Sequence, residues 1–396
     1  MKKRITFILL IVIITLFTCE SPFNTNVTDD IFELTISHNI SRVFPSAQVN
    51  LSWTEITVEN FKEIIIERKT EVDNAWTMVA TLTGHFQTSY IDTIFDDEDL
   101  LYRVGIVDVD ENIIVAEAET MLPRTTKITV PDEIPTIQPA FKNPFVDNGD
   151  TIIVKPGHYL ESLSFAGKDV LVISTGGWSN TILNPTLTTN YDEQTRVLTI
   201  LSGILDGFTI EFGRPNYSKS GGGVAIAETG TVQNCYIAGN QSESDGGGVF
   251  ITNAGNLYNN IITDNSANLG SGIYIQSAKG EIINNTIFDN NVLIRGDCSG
   301  LLLRNNIIYN SAPYTPDIIF IDENDQTSIV LDYSLFDYNT VIGENNISGN
   351  PNFVDNINFE LDSTSPCIDA GHPDAQYNDI DGTRNDIGAT GGPKKR

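Results

Sequence analysis

Residues 282–290 read IINNTIFDN, a strand-like run that two asparagines interrupt in its middle. Asparagine is a poor strand former because its amide competes for backbone hydrogen bonds and favours turns. An apolar residue equivalent to Ile287 recurs along the chain at intervals of 21 to 28 residues. The equivalents are Ile210, Ile237, Ile262, Ile308 and Phe336. This recurrence indicates a repeated structural unit.

A second apolar column lies five residues before the first, at Leu205, Val232, Leu257, Ile282, Leu303 and Leu331. Side chains alternate along a straight strand, so residues five apart would face opposite ways. Because both columns are apolar, we expect both to face the interior and the chain to bend between them. Gly207 or an asparagine occupies the bend in most copies, and Gly and Asn tolerate a left-handed backbone.

The asparagines at the bend predict a ladder of side-chain amides. Stacked rungs place one amide above the next at about 4.8 Å, a spacing at which amides can hydrogen-bond. We predict that this structural ladder consists of Asn234, Asn259, Asn284 and Asn305. A further column predicts the next corner, at Asn240, Asn265, Asn290 and Asn339.

A coil of about 25 residues whose rungs pair only with their neighbours is a parallel β-helix. The inner rungs GILDGFTI (203–210) and VQNCYIAGN (232–240) resemble those of right-handed, pectin-lyase-like β-helices. Residues 149–174 resemble the opening rung of that type. We therefore predict an all-β protein in which residues 150–350 form roughly eight rungs. The resemblance implies a fold and no particular activity, because this fold carries lyases, hydrolases, adhesins and inert stalks.

Short alternating strands precede the repeats, among them AQVNLSWT (47–54) and LLYRVGIVD (100–108). Residues 30–122 resemble a fibronectin type III β-sandwich. The resemblance implies that Trp53 is the core tryptophan of an early strand and that Tyr102 is the tyrosine-corner residue. The proline-rich stretch that follows predicts a linker and N-terminal cap over residues 123–149.

Three basic residues, Lys2, Lys3 and Arg4, follow Met1 and precede an apolar run from Ile5 to Thr18. This run is typical of a signal peptide and too short for a membrane-spanning helix. LFTC (16–19) resembles a bacterial lipobox, which implies lipidation of Cys19 and a tether over residues 20–29. We expect an exported protein of the cell envelope, either a lipoprotein or a secreted one, and an uncleaved anchor is the remaining alternative.

Residues 351–396 resemble the choice-of-anchor Q segment that follows β-helices in exported bacterial proteins. The matching stretches are SPCIDAG (365–371), DIDGTR (379–384) and DIGA (386–389). A solenoid needs its open end closed, so capping is the first role we expect. An apolar outer column also predicts a covered side, most simply under this tail, at Tyr236, Ile261, Thr286, Ile307 and Leu335.

Strands edged by glycine clusters, such as GGGVFITN (246–253) and GSGIYIQS (270–277), place Phe250 and Tyr274 side by side and facing outward. Adjacent exposed aromatic rings form a platform on which sugar rings stack. The predicted substrate-binding residues are Phe250, Tyr274, Thr252, Gln276, Asn253, Arg295 and Asp245. In the alternative interpretation, a loop or the other domain covers these rings.

The formal net charge of −29 argues against nucleic acid and against anionic membranes as partners. We expect a polysaccharide or cell-surface glycan as partner, and contact with a membrane only through the lipid anchor. No cofactor or metal site is predicted, although Ca²⁺ would bridge the charges if the glycan is acidic. Catalytic residues are not identified. A hydrolase needs two carboxylates across the scissile bond, and the outward strand positions offer only Glu228, with Asp245 at the edge of a loop.

Three functional hypotheses follow from these observations. The first is a non-catalytic glycan-binding or adhesive protein. The second is a polysaccharide lyase or glycoside hydrolase with a diverged site on the same face. The third is a structural stalk.

Overall fold

The computed structural model describes two compact units of the chain, Met1–Arg124 and Thr125–Arg396. The described residues are 34–37, 42–43, 46–55, 60–70, 75–94, 100–111, 113–120, 127–185, 195–216, 219–311, 318–320, 329–337 and 343–396. The predicted signal peptide and lipobox (1–19, with Cys19) and the predicted tether (20–29) lie outside them, as does Asn339. No helix in these described ranges has the length and apolarity needed to cross a bilayer.

The first unit contains two antiparallel sheets. One consists of β1 (Leu34–Ser37), β2 (Arg42–Val43), β3 (Ser46–Trp53) and β6 (Ser89–Ile94). The other has the order β5-β4-β7-β8, with β4 (Phe61–Thr70), β5 (Thr77–Leu82), β7 (Leu100–Asp108) and β8 (Ile113–Thr120). The fibronectin type III assignment beyond this antiparallel arrangement stays a prediction.

Both residues expected in the core of the first unit are buried. Trp53 donates its indole N–H to Gln87 O at 2.8 Å. The hydroxyl of Tyr102 donates to Asp92 Oδ2 at 2.7 Å, and Arg68 Nη1 donates to the same oxygen at 2.6 Å. A tyrosine corner bonds to backbone, whereas here the acceptor is a carboxylate. Because Asp92 lies in β6, this buried group joins the two sheets.

The second unit is a parallel β-helix with three sheets, which confirms the predicted fold class for this part. Sheet I consists of β9 (Lys127–Val130), β10 (Thr151–Val154), β13 (Leu171–Ser174), β16 (Ile204–Asp206), β19 (Thr231–Gln233), β22 (Asn256–Tyr258), β25 (Glu281–Ile283), β28 (Leu302–Arg304) and β31 (Val330–Asp332). Sheet II consists of β11 (Gly157–Leu160), β14 (Thr181–Asn184), β17 (Thr209–Glu211), β20 (Tyr236–Ala238), β23 (Ile261–Thr263), β26 (Thr286–Phe288), β29 (Ile307–Tyr309), β32 (Leu335–Phe336) and β33 (Ile347–Ser348).

Sheet III consists of β12 (Leu163–Phe165), β15 (Leu198–Ile200), β18 (Val224–Ile226), β21 (Val249–Asn253), β24 (Ile273–Ala278), β27 (Val292–Arg295) and β30 (Ile318–Phe320). Each coil runs from sheet I to sheet II to sheet III. Within the described ranges, sheet III has seven strands. The β-helix therefore has about seven turns, slightly fewer than the eight predicted.

The first strand of the β-helix lies in the stretch predicted to be linker and cap. β9 pairs in parallel with β10, so the coil begins before residue 150. Helix α1 (Ile137–Phe141) follows β9 and buries its apolar side chains in the same core. The ring of Phe141 stacks on that of Phe165 at a centroid distance of 4.6 Å. The helix therefore covers the first coil, as expected of an N-terminal cap.

Both predicted apolar columns face the interior. Leu205 and Val232 of the first column and Ile210 and Ile237 of the second are all fully buried. The chain bends between them through a left-handed residue, with φ of 52° at Asn234 and between 54° and 57° at the bend positions of the next three coils. The predicted corner is confirmed.

The hydrogen-bonded ladder lies one residue later than predicted. Asn260 Nδ2 donates to Asn285 Oδ1 at 3.0 Å, and Asn285 Nδ2 donates to Asn306 Oδ1 at 3.1 Å. The four predicted members are Asn234, Asn259, Asn284 and Asn305, and only one weak contact joins two of them, Asn305 Nδ2 to Asn284 Oδ1 at 3.4 Å. The left-handed residue turns the chain, so the next side chain enters the interior.

The second corner follows the same rule. Gly239, Asp264 and Asp289 are left-handed, and each precedes one of the predicted asparagines. Asn240 Nδ2 donates to Asn265 Oδ1 at 3.0 Å, and Asn265 Nδ2 donates to Asn290 Oδ1 at 3.1 Å. The prediction is confirmed for Asn240, Asn265 and Asn290, because the sequence places these asparagines directly after the left-handed residue.

Residues 351–396, called the strap below, lie along the outside of sheet II. Cys367 and Ile387 of the strap form one apolar cluster with Ile307 and Leu335. Phe359 forms another cluster with Ile261 and Phe288. The prediction that the tail covers this side is confirmed. The expected role of this tail in capping the open end of the solenoid stays a prediction.

Candidate functional site

Two outward rows of side chains cross sheet III on the face predicted to bind a ligand. The parallel register aligns Ala225, Phe250, Tyr274, Leu293 and Ile319 in an apolar row. The second row, called the polar row below, aligns Thr252, Gln276 and Arg295. Neighbouring members of each row are separated by the strand spacing of about 4.8 Å.

The apolar row is covered, which corrects the prediction of two exposed aromatic rings. Phe250 and Tyr274 do stack, with ring centroids 5.7 Å apart and an angle of 17° between the rings. However, Tyr274 is only 1% exposed and Leu293 beside it is equally buried, while Phe250 is half-buried. Tyr274 therefore cannot serve as a stacking surface, and Phe250 offers only part of its ring.

The glycine clusters contribute a close approach of the loop backbone to this row. Gly221 and Gly270 adopt left-handed φ angles of 81° and 62°. A Cβ atom at Gly270 would lie 3.0 Å from Tyr274 Cβ, and one at Gly221 would lie 3.1 Å from Phe250 Cβ. The glycines therefore allow the loop backbone to lie against the apolar row.

The polar row remains accessible. Gln276 and Arg295 are exposed, Thr252 is half-buried, and Asn253 is exposed at the left-handed corner that ends β21. Together these residues offer amide, hydroxyl and guanidinium groups, the groups with which proteins bind polar ligands. The structure thus brings together the polar part of the predicted site.

Asp245 lies at the edge of this face. Its carbonyl oxygen accepts a hydrogen bond from Gly221 N at 2.8 Å, and its backbone pairs with that of Leu269 on the next coil. Burial raises the pKa of the Asp245 carboxyl, and the nearby positive charge of Arg295 opposes this rise. Asp245 and Arg295 are thus close enough to interact, and they form the one pair of opposite charges that the predicted residues contribute.

The described residues of this face do not form a metal-binding site. Throughout the described ranges, no group of three or more His, Cys, Asp or Glu side chains is arranged to hold a metal ion. The exposed Glu228 lies at the corner after β18 and belongs to a different row from Asp245.

Sequence reasoning missed a cavity between the strap and the corner that joins sheets I and II. Its lining includes Trp178 and the charged residues Glu360, Asp386 and Arg396. The glycines before Trp178 were a local signal of an unusual turn. The strap residues could not be placed there from the sequence, because their path depends on long-range packing.

Comparisons with known proteins found similar solved structures, and the sequence identity to them is low. A pectate lyase from Erwinia chrysanthemi in complex with tetragalacturonic acid is 12% identical over 81% of this chain and 90% of its own, with a TM-score of 0.20. A pectate lyase from Pectobacterium carotovorum is 14% identical over 81% of this chain and 92% of its own, with a TM-score of 0.19. No family model matches the chain. No curated protein matches it either.

Proposed function

We propose that this chain is an exported β-helix protein that binds a polysaccharide on the outside of sheet III without cleaving it. The observation that carries the proposal is the polar row, in which Thr252, Gln276 and Arg295 align on neighbouring strands. A linear polymer presents its hydroxyl groups at regular intervals, and a row of donors and acceptors at regular spacing suits such a ligand. The exposed part of Phe250 adds an apolar contact beside the row.

The cellular context belongs to the same proposal. The apolar run from Ile5 to Thr18 supports export, and Cys19 is the proposed site of lipidation. The first unit, as a fibronectin type III domain, acts as a spacer between the anchor and the β-helix. The partner is a cell-surface or extracellular glycan and not nucleic acid, which the net charge of −29 would repel. Ca²⁺ is required only if the glycan is acidic.

A lyase or hydrolase is the second candidate, and one observation favours it. A carboxyl group with a raised pKa is a feature of general acids and bases, and Asp245 has this property near Arg295. Among the described residues, the two outward rows of sheet III place no second carboxylate beside Asp245, so we prefer binding without cleavage.

The test is retention on immobilised polysaccharides, with and without Ca²⁺, together with assays for new reducing ends and unsaturated products. The Gln276→Ala, Arg295→Ala double variant should weaken retention at least about tenfold, because it removes several hydrogen bonds. Lys127→Ala is the matched control, because Lys127 is an exposed cation on sheet I.

The outcomes separate the hypotheses. Retention without product, reduced by the double variant and not by the control, supports the proposal. Product formation that Asp245→Asn abolishes would establish the enzymatic alternative. Absence of both retention and product would refute glycan binding on this face and leave a structural stalk.

A further inference from the structure

We propose that the cavity beneath the strap is a second binding site, specific for a neutral saccharide of one or two residues. This proposal does not depend on the function proposed for sheet III. The two sites belong to different corners and sheets of the β-helix and share no residue.

The cavity has a volume of about 740 Å³, within the range of about 300–1,000 Å³ that is typical of small-molecule sites. Its floor is the corner between sheets I and II, at Gly207, Asn234 and Asn259. One wall is the turn at residues 175–179, and the strap forms the other. The site therefore exists only because the strap crosses the β-helix at this place.

Trp178 is the main apolar surface of the cavity. Its ring stacks on Tyr236 with a centroid distance of 5.0 Å and an angle of 22°. Gly177 before it is left-handed, with φ of 68°, and Thr209 Oγ1 donates to Trp178 O at 2.8 Å. The stack on Tyr236 supports the ring, and the contact from Thr209 fixes the backbone that carries it. Stacking against the C–H face of a sugar is a common use of such a ring.

The charges around the cavity favour a neutral ligand. Two lining residues are acidic, Glu360 and Asp386, and two are basic, Lys395 and Arg396. Arg396 pairs with Asp206 at 3.2 Å and donates to Ser174 O at 3.0 Å. Because Asp206 neutralises Arg396, no excess of positive charge remains to attract an anion, and a neutral ligand is favoured over an acidic one. A ligand with several hydroxyl groups could use both the carboxylates and the cations as hydrogen-bond partners.

Neighbouring backbone groups hold the acidic side of the cavity in place. Asp386 Oδ1 accepts a hydrogen bond from Asp369 N at 2.8 Å, and Asn259 Nδ2 donates to Ala389 O at 3.2 Å. Burial raises the pKa of the Asp386 carboxyl, which is consistent with a partly enclosed site. A preformed pocket of this kind loses little entropy when a small ligand binds.

The test uses the full chain and a panel of neutral sugars: glucose, galactose, mannose, xylose, N-acetylglucosamine and their common disaccharides. Binding is measured by ligand-detected NMR and by titration calorimetry. At least one sugar should bind at millimolar concentration or below. Trp178→Ala should weaken that binding at least about tenfold, and Trp178→Phe should weaken it less because a ring remains.

Two controls keep the result interpretable. Trp76→Ala changes a tryptophan of the first unit that contacts Lys69 and Arg103, and it should leave sugar binding unchanged. Glu360→Gln alters an exposed lining residue, so it should weaken binding without loss of the fold even if Trp178→Ala proves unstable. The sheet III double variant, Gln276→Ala with Arg295→Ala, should bind the sugar normally.

Two results would overturn the proposal. One is the absence of binding by every sugar in the panel. The other is binding that neither Trp178→Ala nor Glu360→Gln weakens, which would place the sugar elsewhere.

Discussion

At the scale of single residues, asparagine performs two different tasks at the corner between sheets I and II, where several coils carry an Asn pair. The first asparagine of a pair adopts a left-handed backbone, as Asn284 does with φ of 57°. The second, Asn285, is fully buried and exchanges amide hydrogen bonds with the coils before and after it. The side chain of the left-handed asparagine faces outward and can contact the strap. Asn284 shows this contact, because its Nδ2 donates to Gly388 O at 3.1 Å.

This division predicts unequal costs of substitution. Asn285→Ala should lower the free energy of unfolding by about 2–4 kcal/mol, because it leaves several buried polar groups without partners. Asn253 is a left-handed asparagine at the corner after sheet III and precedes no ladder amide. Asn253→Gly should change the free energy of unfolding by less than about 1 kcal/mol, because glycine adopts the left-handed φ of 57° and the side chain is exposed. Urea denaturation of both variants measures the difference. Equal losses would contradict separate roles for the two positions.

The sequence predicted the corners but not the exact members of the ladder, and the reason is local. Spacing and residue type identify a position that bends, because few residues tolerate that backbone. Which side chain enters the interior after the bend depends on the rotation of the chain at that residue. The prediction of a corner at Asn259 was therefore correct. The prediction that the Asn259 amide belongs to the ladder was wrong, because the amide of Asn260 occupies that place.

At the scale of elements, the strap and the glycine-rich loops decide which outward surfaces are exposed. Alternation within β24 correctly predicted that Tyr274 faces away from the core. Its burial depends on the path of the loop at Gly270, which no periodicity records. The strap was predicted to cover sheet II because an apolar outer column requires a cover. The exact path of the strap, and therefore the cavity at Trp178, could not be predicted from the sequence.

The strap should contribute much of its stabilisation through one aromatic side chain. Phe359 is 1% exposed and packs against Phe288 at a centroid distance of 5.1 Å. Phe359→Ala should lower the free energy of unfolding by about 3–5 kcal/mol, because it leaves a cavity in the cluster. Val354→Ala, at a site in the same segment that is 62% exposed, should cost less than about 0.5 kcal/mol. Thermal and urea denaturation test both, and a small effect of Phe359→Ala would mean that the strap is loosely held.

At the scale of the whole molecule, the chain separates into two units with independent cores. The first unit is built around Trp53 and Tyr102, whereas one continuous cluster runs through the β-helix from Ile128 to Phe336. Parallel coils stabilise each other through contacts with their neighbours, so the β-helix does not need the first unit to complete its core. All residues of both proposed sites belong to the second unit.

A fragment of residues 125–396 should therefore fold alone and retain both binding activities. It contains α1, which covers the first coil, and the strap, which covers sheet II. We expect its thermal midpoint to match the β-helix transition of the full chain, with the same retention on polysaccharide. Calorimetry and the retention assay measure these quantities. A fragment that is unfolded, or folded but unable to bind, would show that the first unit completes the fold or the site.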